Sequence, residues 1–231
     1  MDIVLVHGGW HGGWCWQYVE NILVNRGHRV FAPSLAGLAD QAHRARSDLT
    51  AQDHADEIVD LITSRDLRDV TLVGHSYGGM VISGASTQLN QNISALIYLD
   101  ALVPQSSTEC AFDHGDPDRG ARLVARAKNG LVPPTLFETW ASEPAKIAWL
   151  KDNCTDHPVN TFATGVKIDA KTYDVPRKCF VLADHGSDFS FFPPIHDRLA
   201  KMDDWETRKL TCLHDVMVEL PEETAAIIEG R

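Results

Sequence analysis

A short glycine-rich segment carries the strongest chemical signal in the sequence. Ser76 stands in the run Val73-Gly74-His75-Ser76-Tyr77-Gly78-Gly79, between an apolar stretch and a helical pattern. A serine hydroxyl is a weak nucleophile, so it needs a neighbouring base and a fixed, exposed position. Glycines on both sides of the serine let a strand and a helix approach closely around a sharp turn. This spacing predicts that Ser76 is a nucleophile.

Attack by a serine on a carbonyl group creates an oxyanion, which two N–H donors can stabilise. One donor usually belongs to the residue after the nucleophile, which is Tyr77 here. The other is expected in the glycine-rich turn His7-Gly8-Gly9 after the first apolar run, where Gly9 is the best candidate. The helix that follows Ser76 would also favour negative charge at its N-terminus.

The base is expected late in the chain, because acid and histidine follow the serine in sheets with such a turn. Of the 11 histidines, His214 lies between the last predicted strand and the last predicted helix. It is therefore the predicted general base. His185 and His196 are its rivals, but they lie in or after the loop where the acid is expected.

Three aspartates could orient the imidazole of His214. Asp184 and Asp188 lie in the loop after the fifth predicted strand, and Asp100 ends the fourth. Each could accept the imidazole N–H. The residues alone leave this choice open.

The elements that must position these residues follow from an alternation of apolar runs and helical patterns, which predicts a parallel sheet covered by helices. The predicted strands are 3–6, 28–32, 70–73, 93–99, 178–182 and a weaker edge strand at 205–211. The predicted helices are 14–26, 50–64 with Thr50 as N-cap, 79–89 and 221–228. The alternation breaks at about 104–176, which predicts a cap inserted into a single domain of residues 1–231.

Composition narrows the classes of partner. The 231 residues include 21 Lys and Arg against 32 Asp and Glu, a net charge of −11. This acidity argues against nucleic-acid and anionic-membrane partners. No apolar run is long enough to span a membrane and no leader pattern opens the chain, so we expect a cytoplasmic protein. The last four residues, Ile228-Glu229-Gly230-Arg231, match the recognition sequence of a processing protease, and we assign them no function.

Together these motifs resemble those of the α/β-hydrolases, in the group of plant methyl esterases, hydroxynitrile lyases and small bacterial esterases. The resemblance covers nearly the whole chain and is carried by 6–16, 27–30, 74–79, 98–101 and 214–217. It implies a mostly parallel sheet of about six strands, helices on both faces and a helical cap. The family's acid commonly stands five residues before a proline, which favours Asp188 before Pro193. Members that place the acid after the preceding strand keep Asp100 open.

Two differences separate the chain from the hydroxynitrile lyases of this group. Those lyases have a lysine after the catalytic histidine and a threonine in the opening loop, where this chain has Asp215 and Gly8. The resemblance therefore implies a serine-dependent hydrolase of small to medium carboxylic esters. An acyl-enzyme would form with the triad Ser76, His214 and Asp188.

Alternative functions are a hydroxynitrile lyase or C–C bond hydrolase with the same triad, and a ligand receptor without turnover. No metal and no organic cofactor are expected. The expected partner is a small-molecule ester. The sequence does not decide whether the protein forms a homodimer.

Overall fold

The computed structural model describes residues 1–184 and 192–231. Its eight strands are β1 Asp2–Val6, β2 Arg29–Phe31, β3 Val70–His75, β4 Ile93–Leu99, β5 Leu131–Val132, β6 His157–Pro158, β7 Arg177–Ala183 and β8 Glu206–Leu210. Six of them form the main sheet in the order β2-β1-β3-β4-β7-β8. All five pairings in this sheet are parallel. The carboxyl ends of the strands therefore meet along one edge, where open α/β sheets bind ligands.

Helices cover both faces of the sheet. They are α1 Gln17–Asn25, α2 Ala51–Ser64, α3 Gly78–Leu89, α4 Arg119–Arg126, α5 Pro144–Asn153, α6 Val159–Ala163, α7 Phe192–Leu199, α8 Val216–Glu219 and α9 Pro221–Ile228. Alternate side chains of β1 enter opposite cores, as the two-residue period of a strand requires. Ile3 and Leu5 pack with residues of α1 and α9. Val4 and Val6 pack with residues of α2 and α3.

The predicted fold class is confirmed, and the reasons are largely local. β1 and β3 are apolar runs that are buried on both faces. The Thr50 hydroxyl accepts a hydrogen bond from the Asp53 N–H, as predicted for the N-cap of α2. The predicted helix at 14–26 begins instead with the 3-10 turn Gly13–Trp16 before α1.

Residues 104–176 lie between β4 and β7 and include α4, α5, α6 and the small antiparallel pair β5–β6. Their aromatic side chains reach the carboxyl edge of the main sheet. Trp140 and Phe162 line the same cavity as Ser76. This segment therefore contributes to the wall of the cavity that contains Ser76.

The short helices α7 and α8 were not predicted. Prolines 193 and 194 in α7 obscured its pattern, although proline is tolerated in the first turn of a helix. Where the chain is described, no helix is both long and apolar enough to cross a bilayer.

Candidate active site

Ser76 occupies a strained turn between β3 and α3. Its φ of +53° lies in the left-handed region that few L-residues adopt. Main-chain hydrogen bonds hold this geometry: the Ser76 N–H donates to the Leu99 carbonyl at 3.2 Å, and the Leu102 N–H donates to the Ser76 carbonyl at 3.0 Å. The surrounding structure therefore enforces a conformation that keeps the serine partly exposed.

The two glycines of the motif are required by close packing. A Cβ atom at Gly74 would lie 2.7 Å from the Gly78 carbonyl oxygen, and one at Gly78 would lie 2.6 Å from the Val6 carbonyl oxygen. Neither distance is compatible with a side chain unless the backbone shifts. The motif thus brings β1, β3 and α3 together at the serine.

His214 follows β8 and reaches the same edge of the sheet. Its Nδ1 donates to Asp100 Oδ2 at 2.7 Å, and both side chains are buried. Asp100 Oδ1 accepts the Ala183 N–H at 3.1 Å. Burial raises the pKa of Asp100, and its hydrogen bonds to His214 and Ala183 oppose that shift. Hydrogen bonds to both oxygens therefore hold the Asp100 carboxylate in place.

The other acid and base candidates differ from this arrangement. Asp184 is exposed, with Oδ2 3.9 Å from Lys209 Nζ. His196 Nδ1 lies 3.0 Å from Asp197 Oδ1. Asp188 and His185 lie outside the described residues. In the described part of the chain, the aspartate in contact with His214 is Asp100, the candidate after β4.

Ser76 and His214 face a common cavity. Apolar side chains make up much of its wall: Trp10, Leu102, Ala111, Trp140, Phe162 and Phe192. The Phe192 ring stacks on the His214 ring with 5.2 Å between centroids. The cavity is narrow: the centre of a water molecule could move within a volume of about 30 Å³ inside it. Since one water needs about 10–15 Å³ on this measure, the space suits a small group.

The two predicted oxyanion donors, Gly9 and Tyr77, line this cavity as well. Within the described residues neither backbone N–H is used in a hydrogen bond. The peptide before Gly9 is fixed by His7, whose Nδ1 donates to the Gly8 carbonyl at 2.8 Å. His7 Nε2 accepts the Leu35 N–H, and burial lowers the pKa of His7 to about 3. A neutral imidazole therefore orients the peptide that carries the Gly9 N–H.

Other residues that hold this site in place were not predicted from the sequence. His75 Nε2 donates to the His214 carbonyl at 3.0 Å, which ties the nucleophile turn to the histidine loop. His54 Nδ1 accepts from the Tyr77 hydroxyl at 3.0 Å while its Nε2 donates to the Ala36 carbonyl. The histidine-rich composition was the available signal, but it does not specify partners.

His75, His214 and Asp215 form a cluster that could hold a metal ion, because their ligand atoms lie within 4.8 Å of one another. Three atoms of these groups are engaged in hydrogen bonds within the protein: His214 Nδ1 with Asp100, Asp215 Oδ2 with His11, and His75 Nε2 with the His214 carbonyl. Among the described residues, His75 Nδ1 and Asp215 Oδ1 have no hydrogen-bond partner.

Gly8 provides a test of how tightly the nucleophile turn is packed. A Cβ atom there would lie 2.8 Å from Ser76 Cβ and 2.9 Å from His75 Nδ1. We expect Gly8→Ala to lower kcat for ester turnover about 10- to 100-fold, because small displacements of reacting groups have effects of this size. Gly27→Ala is the control, since no atom lies within 4 Å of its added Cβ. Its positive φ should cost stability but leave kcat unchanged; equal kcat in both variants would contradict the prediction.

A parallel sheet with a serine turn and a histidine loop at its carboxyl edge defines the α/β-hydrolase class. The chain belongs to the alpha/beta hydrolase family, whose pattern it matches over residues 3–227.

Individual relatives refine this assignment. The carbendazim hydrolyzing esterase of Nocardioides sp. (strain SG-4G) is 33% identical over 244 residues, covering 97% of this chain and 96% of the relative. Methylesterase 1 of Arabidopsis thaliana is 36% identical over 111 residues, which cover 47% of this chain and 42% of the relative. These matches place the chain among the family's ester hydrolases, in its small-esterase group.

Solved structures agree with this fold. An extracellular alpha/beta-hydrolase from a Paenibacillus species, described as sharing structural and functional homology with tobacco salicylic acid binding protein 2, superposes with a TM-score of 0.83. The two sequences are 21% identical, and the superposition covers 100% of this chain and 98% of the Paenibacillus chain. The predicted fold and family are both confirmed.

Proposed function

We propose that the protein hydrolyses small carboxylic esters through an acyl-enzyme on Ser76, with His214 as general base and Asp100 as the acid that orients it. The observation that carries the proposal is the buried His214–Asp100 pair, of which His214 lines the same cavity as Ser76. Asp100 replaces Asp188 in this proposal because of its 2.7 Å contact with His214 Nδ1.

In the first half-reaction, His214 takes the Ser76 proton as the serine oxygen attacks the ester carbonyl. The N–H groups of Gly9 and Tyr77 stabilise the oxyanion. His214 then protonates the departing alcohol, and the acyl group stays on Ser76. Water attacks this acyl-enzyme with the same base and releases the acid. Asp100 holds the Nδ1–H tautomer throughout, so that Nε2 can accept the proton.

The substrate class follows from the cavity. Aromatic and aliphatic walls favour an apolar group, and the small open volume favours a short one. The name of the Nocardioides relative adds carbendazim as a compound to include in a substrate panel.

Asp215 favours hydrolysis over cyanide elimination. The resemblance to hydroxynitrile lyases implies a lysine at this position, but the chain has a carboxylate there, paired with His11 at 3.0 Å. A non-catalytic receptor would not require the His214–Asp100 pair beside a strained serine.

The test is turnover of p-nitrophenyl acetate, butyrate and octanoate by the wild type. We expect a burst of about one p-nitrophenol per chain, the kinetic sign of an acyl-enzyme. We also expect kcat/KM for octanoate to be about tenfold or more below that for acetate, because the extra methylenes must enter a narrow pocket. A preference for octanoate would contradict the predicted substrate size, and absence of enzyme-dependent turnover would contradict ester hydrolysis itself.

A further inference from the structure

A buried pair of side chains lies beside the reacting groups and has no part in the mechanism above. His11 Nε2 is 3.0 Å from Asp215 Oδ2, and the two residues are 2% and 0% exposed. His11 lines the cavity together with Ser76. Because buried charged groups are costly unless they are well paired, this contact calls for an explanation beyond packing.

The hydrogen bonds define the protonation of His11. Its Nδ1 lies 2.7 Å from the Gly9 carbonyl oxygen, which can only accept a hydrogen bond. Its Nε2 faces a carboxylate, which also accepts. Burial alone would lower the pKa of His11, but the charge and hydrogen bond of Asp215 raise it overall. The same pair lowers the pKa of Asp215 against the effect of burial. His11 is therefore an imidazolium paired with a carboxylate.

His11 is one of three histidines that hold the loop around Gly9. His7 donates to the Gly8 carbonyl, His11 donates to the Gly9 carbonyl, and His157 Nδ1 accepts the Trp10 N–H at 3.1 Å. The peptide groups on both sides of Gly9 are thus fixed by side chains. Burial lowers the pKa values of His7 and His157, which leaves His11 as the charged member of the set.

We propose that the protonated His11, held by Asp215, is a positioning residue for the oxyanion site: it fixes the Gly9–Trp10 peptide, next to the one that carries the Gly9 N–H, and places a positive charge beside the developing oxyanion. This inference rests on the proposed function. Preorganised charge and dipoles in a dry site are the largest single source of stabilisation in such reactions. The sequence separation of 204 residues explains why the pair could not be predicted from the sequence.

The groups around the pair set its pH dependence. His75 Nε2 lies 3.7 Å from Asp215 Oδ1, and the His75 ring is 6.0 Å from the His11 ring. Burial lowers the pKa of His75 and raises those of the thiols Cys15 and Cys154, which also feel the charge of Asp215. Among the described residues, further titratable neighbours of the pair are His214, His7, His157, Asp100 and Cys212.

Loss of the His11 proton at alkaline pH would turn an imidazole lone pair toward the Asp215 carboxylate. Because Asp215 raises the pKa of His11, the charged pair persists to higher pH than a free imidazolium would and is lost as the pH rises above that pKa. Ester turnover should therefore fall on the alkaline side as His11 deprotonates.

The test compares the wild type with Asp215→Asn, using kcat and KM for p-nitrophenyl acetate from about pH 6 to about pH 10 after subtraction of spontaneous hydrolysis. Near neutral pH we expect kcat to fall about 10- to 100-fold with a smaller change in KM. The deficit should narrow as pH rises, because the wild type then loses the same charge. A purely structural role would give a deficit that is independent of pH, and that result would overturn the inference.

Glu229→Gln is the matched control. It removes a largely buried carboxylate that lies 2.9 Å from His28 Nε2 through Oε1 and also pairs with Arg26 and Arg231. Glu229 does not line the cavity that contains Ser76. We expect kcat and the pH profile to match the wild type. Unchanged kcat in Asp215→Asn would overturn the inference while leaving the proposed function intact. A wild type without ester turnover would overturn both.

A second variant covers the case in which Asp215→Asn does not fold, as judged by its thermal unfolding. His11→Gln keeps an N–H donor for the Gly9 carbonyl and removes the charge. It should show the same kcat deficit and the same convergence with the wild type at high pH. Nitrogen-15 NMR of wild-type His11 should show both ring nitrogens protonated at neutral pH, and a neutral ring there would overturn the inference.

Discussion

Ser76→Ala is expected to lower kcat for p-nitrophenyl acetate about a millionfold, to the level left by binding and the oxyanion donors. The hydroxyl oxygen is the atom that would bond to the acyl carbon, and no other group in the proposed mechanism replaces it. Alanine keeps the Cβ atom in the turn, so the fold should be preserved. Turnover and the p-nitrophenol burst, measured in parallel with the wild type, check this expectation.

Ser83→Ala is the matched control for that experiment. Ser83 lies on α3, seven positions after Ser76, and its buried hydroxyl bonds to the Gly79 carbonyl and the Tyr98 hydroxyl. Losing these bonds should cost about 1 kcal/mol of unfolding free energy and leave kcat close to that of the wild type. If Ser76→Ala retained the activity of Ser83→Ala, Ser76 would not be the nucleophile.

Asp100→Asn has the second-largest expected effect, a fall in kcat of about ten-thousandfold. The asparagine oxygen would keep the hydrogen bond from the Ala183 N–H and so turn its NH₂ group toward His214 Nδ1. Nδ1 must then accept, which puts the proton on Nε2. In that tautomer His214 cannot take the Ser76 proton.

Two further variants make the Asp100 experiment decisive. Asp184→Asn changes an exposed aspartate after the neighbouring strand and should leave kcat unchanged. Asp188→Asn tests the acid that the family resemblance favours. We expect a much smaller loss in Asp188→Asn than in Asp100→Asn, and the reverse order would show that Asp188 is the acid. Thermal unfolding of all three variants separates loss of catalysis from loss of fold.

Several histidines in this protein serve as neutral hydrogen-bonding groups. Burial lowers the pKa of His54 to about 4 and that of His75 well below its usual value. Each then offers one donor and one acceptor, and His54 uses both, for the Ala36 carbonyl and the Tyr77 hydroxyl. The charged His11 is set apart from them by its carboxylate partner.

The sequence by itself determined the features that depend on neighbouring residues. The buried runs of β1 and β3, the Thr50 cap and the glycine spacing around Ser76 are local patterns, and each implies its structure with little help from distant parts of the chain. The late position of His214 followed from the order of elements in such a fold. For this reason the fold class and the principal candidates for catalysis could be predicted.

Only the tertiary structure decided which side chains meet at the carboxyl edge of the sheet. Asp100 and His214 are 114 residues apart, and their contact depends on how β4, β7 and β8 pair in register. The charged pair of His11 and Asp215 joins loops from the two ends of the chain. Such contacts carry no local signal, because they arise from the packing of strands whose sequences specify burial and not neighbours.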